Sequence, residues 1–186
     1  NNGKSYEKEY NIYLTSQDAT DIAGTYTATA TNATNEDIKE EWQINITTDE
    51  NDPYKVWLQP LCYFKNLEAQ HINPVYATYD ATKRELTMPL GQKMFKRSGF
   101  NIVNAISYDG KNMSTTGDVV LKVYVSDTKK EISIDPLYIL GAADVNKNNE
   151  WQQSLNQYRL TQEKAPLLDV ELSTTDFYSD VAVGAP

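Results

Sequence analysis

The sequence predicts an all-β fold in one domain, with antiparallel strands that form an up-and-down barrel or a strongly curved sandwich. Short runs of alternating apolar and polar residues recur about every 8–12 residues, with turn signals between them. No long stretch of helical period interrupts these runs, which argues against βαβ units and a parallel sheet. The chain has 186 residues, of which 40% are hydrophobic, so it is long enough to bury a core.

The first predicted strands begin after Gly24. Residues 25–31 are rich in β-forming side chains, and residues 42–47 alternate as a strand with one buried face does. Residues 49–53 contain Asp, Asn and Pro, which favour a turn. Residues 54–58 then return in the same alternating pattern, so the sequence predicts a hairpin here.

Further strands follow along the chain. Residues 152–162 fit a short helix or a strand, and we favour a strand. The other predicted strands are residues 75–80, 85–88, 100–108, 119–125, 131–134, 138–140 and 168–172.

The expected organisation has three parts. Residues 1–22 are polar and are expected to form an extended N-terminal arm. Residues 23–179 form the single β domain, and residues 180–186 form a loose tail. Because the chain starts without Met and without a signal-type apolar segment, we expect a mature or trimmed product.

Charge and hydropathy exclude several partners. Seventeen basic against 26 acidic residues give a net charge of −9. Such a surface repels phosphate backbones and anionic lipid, so we expect neither nucleic-acid binding nor adsorption to a membrane surface. No apolar run approaches the roughly 20 residues that a membrane-spanning helix needs.

Single copies of cysteine and histidine limit the available chemistry. Cys62 has no partner for an internal disulfide, and its apolar neighbours predict a small buried side chain. His71 is the sole imidazole, so a Ser-His-Asp arrangement or a zinc site with several His and Cys ligands is disfavoured. We expect no cofactor, and an enzyme is less favoured than a non-catalytic protein.

One loop has the spacing of a calcium site. Asp144, Asn146 and Asn148 place oxygen ligands at positions one, three and five of an EF-hand-type loop. Leu155 stands where the bidentate acid is needed. The loop is therefore either a weak calcium site or a polar turn rich in Asx residues, and we favour the turn.

Aromatic residues are the best candidates for ligand contact. The candidates are Trp57, Tyr54, Tyr79 and Trp151. Alternation places Trp42 on a buried face and leaves Trp57 on the outer side or rim of its strand. Exposed rings stack on sugar faces or anchor a protein partner. The alternative is that these tyrosines are simply good strand residues.

Residues 24–92 carry a series of motifs whose order is distinctive. In order, the motifs are Gly24-Thr25-Tyr26, Glu41-Trp42-Gln43-Ile44-Asn45-Ile46, Lys55-Val56-Trp57-Leu58, Pro74-Val75-Tyr76-Ala77-Thr78-Tyr79-Asp80, Leu86-Thr87-Met88-Pro89 and Gly91-Gln92. This series resembles the opening of a group of secreted lipoproteins from Bacteroides-type gut bacteria. The resemblance implies a lipocalin-like (calycin-like) barrel and an exported protein at the outer membrane or cell surface. Membrane association would then use only a lipid anchor on a segment absent from this chain.

The expected function is a non-catalytic, surface-exposed binding or scaffold lipoprotein whose ligand is a glycan or a partner protein. The resembling group carries no catalytic motif that transfers to this chain. One competing class is a carboxylate-dependent hydrolase acting on glycans, since any two acids at suitable separation would serve. Another is an adhesive or structural subunit that adds a strand at a sheet edge.

Overall fold

The computed structural model describes residues 18–62, 72–94, 103–108, 113–126, 128–144 and 150–163. Its strands form one antiparallel sheet, preceded by a 3-10 helix at Ala19–Ile22. The strands are β1 (Gly24–Asn32), β2 (Asn35–Thr48), β3 (Lys55–Gln59), β4 (Val75–Asp80), β5 (Glu85–Pro89), β6 (Val103–Tyr108), β7 (Met113–Ser114), β8 (Asp118–Val125), β9 (Lys129–Ile134), β10 (Ile139–Asp144) and β11 (Glu150–Glu163).

Eight of these strands close into a barrel. Strands β1 to β5 are neighbours in chain order, and β8, β9 and β11 follow around the wall. β11 then pairs with β1, with Thr27 opposite Thr161. The all-β prediction is confirmed, and the architecture is consistent with a lipocalin-like barrel.

The long strand β11 also carries a side sheet. Its C-terminal part pairs with β9, whereas its N-terminal part pairs with β10. Beyond β10 lie β6 and β7. The preference for a strand at residues 152–162 is confirmed. Residues 168–172, the predicted tail and residues 1–17 of the predicted arm lie outside the described residues.

Alternation places one side chain in two inside the barrel. In β2, Trp42, Ile44 and Ile46 face the core, with Trp42 only 7% exposed. Cys62 is buried, and that burial raises the pKa of its thiol, so the prediction of a small buried side chain is confirmed. The largest fully buried side chains are Tyr26, Tyr158, Ile22, Ile44, Ile46, Leu58, Leu61, Leu86, Met88, Met94 and Leu121.

Two tyrosine hydroxyls tie flanking segments onto this core. Tyr26 donates to the carbonyl of Ile22 at 2.8 Å, next to the 3-10 helix before β1. Tyr158 donates to the carbonyl of Leu61 at 2.9 Å, in the segment after β3. Burial raises the pKa of both phenols. Each of these two buried hydroxyls thus has a hydrogen-bond partner, as buried polar groups require.

Candidate functional site

A shallow pocket lies on the outer face of the barrel, where β2, β3 and β4 are adjacent. Thr47 is opposite Trp57, and Trp57 is opposite Tyr76, so these outward side chains form one row across the strands. The pocket has a volume of about 330 Å³. We call it the Trp57 pocket, and it is lined by Asn45, Thr47, Trp57, Gln59 and Pro74.

Three neighbours fix the position of the Trp57 ring. Its Nε1 donates to Asp49 Oδ2 at 2.9 Å. The ammonium of Lys55 lies 3.3 Å from the same oxygen and 4.4 Å from the centre of the indole. Tyr76 meets the ring edge to face, with centroids 5.9 Å apart. The ring is therefore held in one orientation by a hydrogen bond, a cation–π contact and an aromatic contact.

Asp49 is stabilised as a carboxylate. The backbone N–H of Asn51 donates to it at 3.0 Å. That bond, the indole N–H and the nearby Lys55 together lower the pKa of Asp49, against a smaller opposing effect of burial. A carboxylate held in this way serves as a fixed acceptor and is poorly suited to donate a proton near neutral pH.

Two carboxamides leave one donor and one acceptor at the pocket. Asn45 uses its Oδ1 to accept from the hydroxyl of Thr25 at 2.8 Å, which leaves its amide N–H groups available. Gln59 uses its Nε2 to donate to the carbonyl of Ile72 at 2.7 Å, which leaves Oε1 available. The described residues that line the pocket include no charged side chain. It therefore offers an indole flanked by neutral hydrogen-bonding groups.

Gln92 supports this wall from the far side of β4. Its Oε1 accepts from the N–H of Tyr76, and its Nε2 donates to the carbonyl of Tyr76, both at 2.8 Å. The same Nε2 also donates to the carbonyl of Pro89 at 2.8 Å. Pro89 has no backbone N–H that could donate to a neighbouring strand. The Gln92 side chain instead makes hydrogen bonds to the backbone of Tyr76 where β5 ends, and these bonds hold that part of β4 in place.

The predicted ligand-contact residues are not grouped in space. Trp57 lines the pocket, whereas Tyr54 is 51% exposed in the turn before β3. Tyr79 faces the core and is 4% exposed, and its role in ligand contact stays a prediction. Its burial, followed by the charge of Asp21, raises the pKa of its phenol. Trp151 belongs to β11, but its side chain lies outside the described part.

Sequence reasoning missed Asn45, Asp49, Gln59 and Gln92. Alternation alone places Asn45 and Gln59 on outer faces, but their adjacency depends on the β2–β3 register, in which they are opposite each other. The position of Gln92 depends on where β5 stops. Neither the β2–β3 register nor the end of β5 can be deduced from the alternation within one strand.

The calcium prediction remains a prediction. Asp144 ends β10, while Asn146 and Asn148 lie outside the described residues, as does His71. Among the residues that the structure describes, no group of three or more His, Cys, Asp or Glu side chains is placed to hold a metal ion.

Comparison with protein-family models, with curated proteins and with solved structures gave no match for this chain. Within the described ranges, no helix is both long enough and apolar enough to cross a lipid bilayer. The fold and the Trp57 pocket therefore carry the functional argument.

Proposed function

We propose that this protein is a non-catalytic binding barrel that holds a neutral glycan in the Trp57 pocket. The observation that carries the proposal is an immobilised indole next to one free amide donor and one free carbonyl acceptor. A sugar ring has an apolar face that packs on an aromatic ring and hydroxyls that both donate and accept. The uncharged lining favours a neutral sugar over an acidic one.

The electrostatics of the site favour binding over hydrolysis. Glycoside hydrolysis needs two carboxyl groups beside the bond, one of which has a raised pKa so that it donates a proton. Among the described residues, no carboxylate lines the Trp57 pocket. The carboxylate that accepts from the Trp57 indole, Asp49, has a lowered pKa and is also paired with Lys55. The hydrolase alternative therefore has less support at this site.

We also propose that the chain is related to the Bacteroides-type surface lipoproteins and acts at the outer membrane or cell surface. The support is the order of motifs in residues 24–92. In this proposal a lipid anchor lies on a segment outside this sequence. Metabolic labelling of the full-length gene product with an alkyne fatty acid tests it. Absence of label in the mature protein would remove the anchor from the proposal.

A glycan array followed by calorimetry on the best hit tests the binding function. We expect Trp57→Ala to weaken binding at least tenfold, because the stacking surface is lost. Asn45→Asp keeps the acceptor for Thr25 but removes the amide donor, so it should also weaken binding. Screening the same glycans for released reducing ends covers the hydrolase alternative.

Matched controls come from surface residues away from the pocket. Tyr124→Ala removes an aromatic side chain that is 55% exposed on β8. Asn35→Asp changes charge like Asn45→Asp and keeps an oxygen that accepts from the N–H of Asp37. Both controls should bind like the wild type. Unchanged affinity in Trp57→Ala, or glycan-independent capture of a protein through this face, would contradict the glycan proposal.

A further inference from the structure

The Trp57 pocket is closed on the side of Lys55. Alternation along β3 places Lys55 and Gln59 on either side of Trp57 on the outer face. The ammonium of Lys55 lies 4.4 Å from the centre of the indole, so it covers the ring from its own side. On the other side, Gln59 and its cross-strand partner Asn45 line the pocket. A ligand that stacks on Trp57 therefore extends away from Lys55.

Two directions lead away from Lys55, and they differ in chemistry. Toward β4 the pocket ends at Pro74, whose side chain has no hydrogen-bonding group. Toward β2 it ends at Asn45, whose amide N–H groups are available because its Oδ1 accepts from Thr25. A polar ligand chain therefore gains more by crossing β2 toward β1.

Four uncharged side chains continue the surface in that direction, and we call them the β1–β2 platform. Thr25 is opposite Asn45 on the outer face, where its hydroxyl donates to Asn45 Oδ1 at 2.8 Å. Thr27 is opposite Gln43, whose Nε2 donates to Thr27 Oγ1 at 3.1 Å. The platform measures about 5 Å across the strands and about 7 Å along them. These cross-strand bonds link the side chains in pairs.

The platform offers both donors and acceptors to a ligand. Because Thr27 accepts from Gln43, it keeps its own hydroxyl proton, and Gln43 keeps Oε1 as an acceptor. Thr25 gives its proton to Asn45 and keeps its lone pairs. The hydroxyls of a sugar ring both donate and accept, so they match this set of groups.

Size and charge limit the ligand further. The pocket volume of about 330 Å³ is at the lower end of the roughly 300–1,000 Å³ of small-molecule sites, so a longer ligand must leave the pocket. The next outward residue of β1 after the platform, Thr29, is opposite both Glu41 and Arg159. The platform is thus an uncharged surface that ends at charged residues along β1.

We propose that the ligand of the Trp57 pocket is a neutral oligosaccharide whose second or third sugar lies on the β1–β2 platform. This inference rests on the proposed function and adds the length and direction of the glycan. One sugar stacks on Trp57, and the chain crosses β2 at Asn45 toward β1. The distance from β3 to β1 is about 10 Å, which is two strand spacings. The platform then makes hydrogen bonds that a monosaccharide cannot reach.

Calorimetry with sugar chains of increasing length tests the proposal. The probes are β-1,4-linked chains of glucose, of mannose and of xylose, each with one, two and three units. We expect the affinity to rise roughly tenfold from one unit to three in the series that binds, the effect of about two added hydrogen bonds. Trp57→Ala should weaken binding of every length in that series, because all lengths share the stacked sugar.

A pair of double variants locates the added contacts. Thr27→Val with Gln43→Val should remove the rise, so that the trisaccharide binds as the monosaccharide does. Thr78→Val with Thr87→Val is the matched control, because these two residues are opposite each other on β4 and β5, and Thr78 is opposite Lys55 on the closed side. The control should keep the rise. Far-UV circular dichroism checks that both variants are folded.

The outcomes separate this inference from the proposed function. If affinity did not rise with length while Trp57→Ala still weakened monosaccharide binding, the inference would be wrong and the proposed function would stand. If no chain of any length bound, both would fail. A rise that persisted in Thr27→Val with Gln43→Val, or that was lost equally in the control, would also overturn the inference.

Discussion

The inner and outer faces of β2, β3 and β4 belong to the same strands, but the inner face packs in the core and the outer face borders a pocket. On the inner face, Trp42 packs at a tilt against Tyr158, with ring centroids 5.8 Å apart, and donates to the carbonyl of Pro60 at 3.1 Å. On the outer face, Trp57 is held by Asp49, Lys55 and Tyr76 and borders a pocket. The comparison shows that an indole can be rigid without being buried, provided that its polar edge has a fixed partner.

The largest expected effect is on the inner face. Trp42→Ala should lower the free energy of unfolding by about 3–5 kcal/mol, because it removes a large core side chain and leaves a cavity. Urea unfolding followed by far-UV circular dichroism measures this. If Trp42→Ala lowered the free energy of unfolding no more than Trp57→Ala does, with the same dependence on urea concentration, the distinction between the two faces would be wrong.

A smaller decrease in the free energy of unfolding is expected when a single buried hydroxyl oxygen is removed. Tyr158→Phe keeps the ring against Trp42 but leaves the carbonyl of Leu61 without its donor. The expected destabilisation is about 1–3 kcal/mol, the usual result of an unpaired buried polar group. The same unfolding assay applies. Tyr124→Phe is the control, because it alters an exposed hydroxyl and should leave the unfolding free energy nearly unchanged.

On the outer face, Trp57→Ala should cost about 1 kcal/mol of stability, on the scale of one aromatic contact. The ring lies at the surface, so no closed cavity forms. The expected result is a small shift of the denaturation midpoint together with the loss of glycan binding. A destabilisation as large as that of Trp42→Ala would show that the outer ring is part of the core.

The smallest effect concerns acid. Folding lowers the pKa of Asp49 from its ordinary value of 3.8. The stabilising contribution of the Asp49 carboxylate is therefore complete above that ordinary value. It is lost as the pH falls through the lower folded-state pKa. Asp49→Asn should therefore flatten the fall in stability below about pH 4. It should also abolish an acid-induced change in tryptophan emission, since Asp49 contacts Trp57.

Asp80→Asn is the control for this acid experiment. The pKa of Asp80 is also lowered, chiefly by the backbone N–H and the side chain of Lys83. This variant should therefore also change the acid dependence of stability. Because Asp80 forms its ion pair with Lys83, the acid-induced tryptophan signal should persist. Loss of that signal in Asp80→Asn would show that Asp49 is not its source.

Strand positions were predictable from the sequence because alternation is a local property. The inward row of Trp42, Ile44 and Ile46 follows directly from the pleat. The outer pocket was only partly predictable, because Asn45 meets Gln59 through register, and register depends on the turn and on the whole buried face. Tyr79 shows the converse limit: an aromatic residue suited to ligand contact is also suited to a core, and only packing decides which.

The closing pair of strands has a consequence for how the chain acquires its structure. β1 is the first of the described strands to be synthesised, and its partner β11 is the last. The pair of Thr27 and Thr161 therefore forms only after nearly all of the described chain has been made. Until then the inner face of β1, with Tyr26 and Ala28, has no completed core to enter. Contacts so distant in sequence fold slowly and leave strand edges exposed in the meantime. A newly made chain therefore keeps the apolar face and one edge of β1 exposed until the final strand of the barrel has been added.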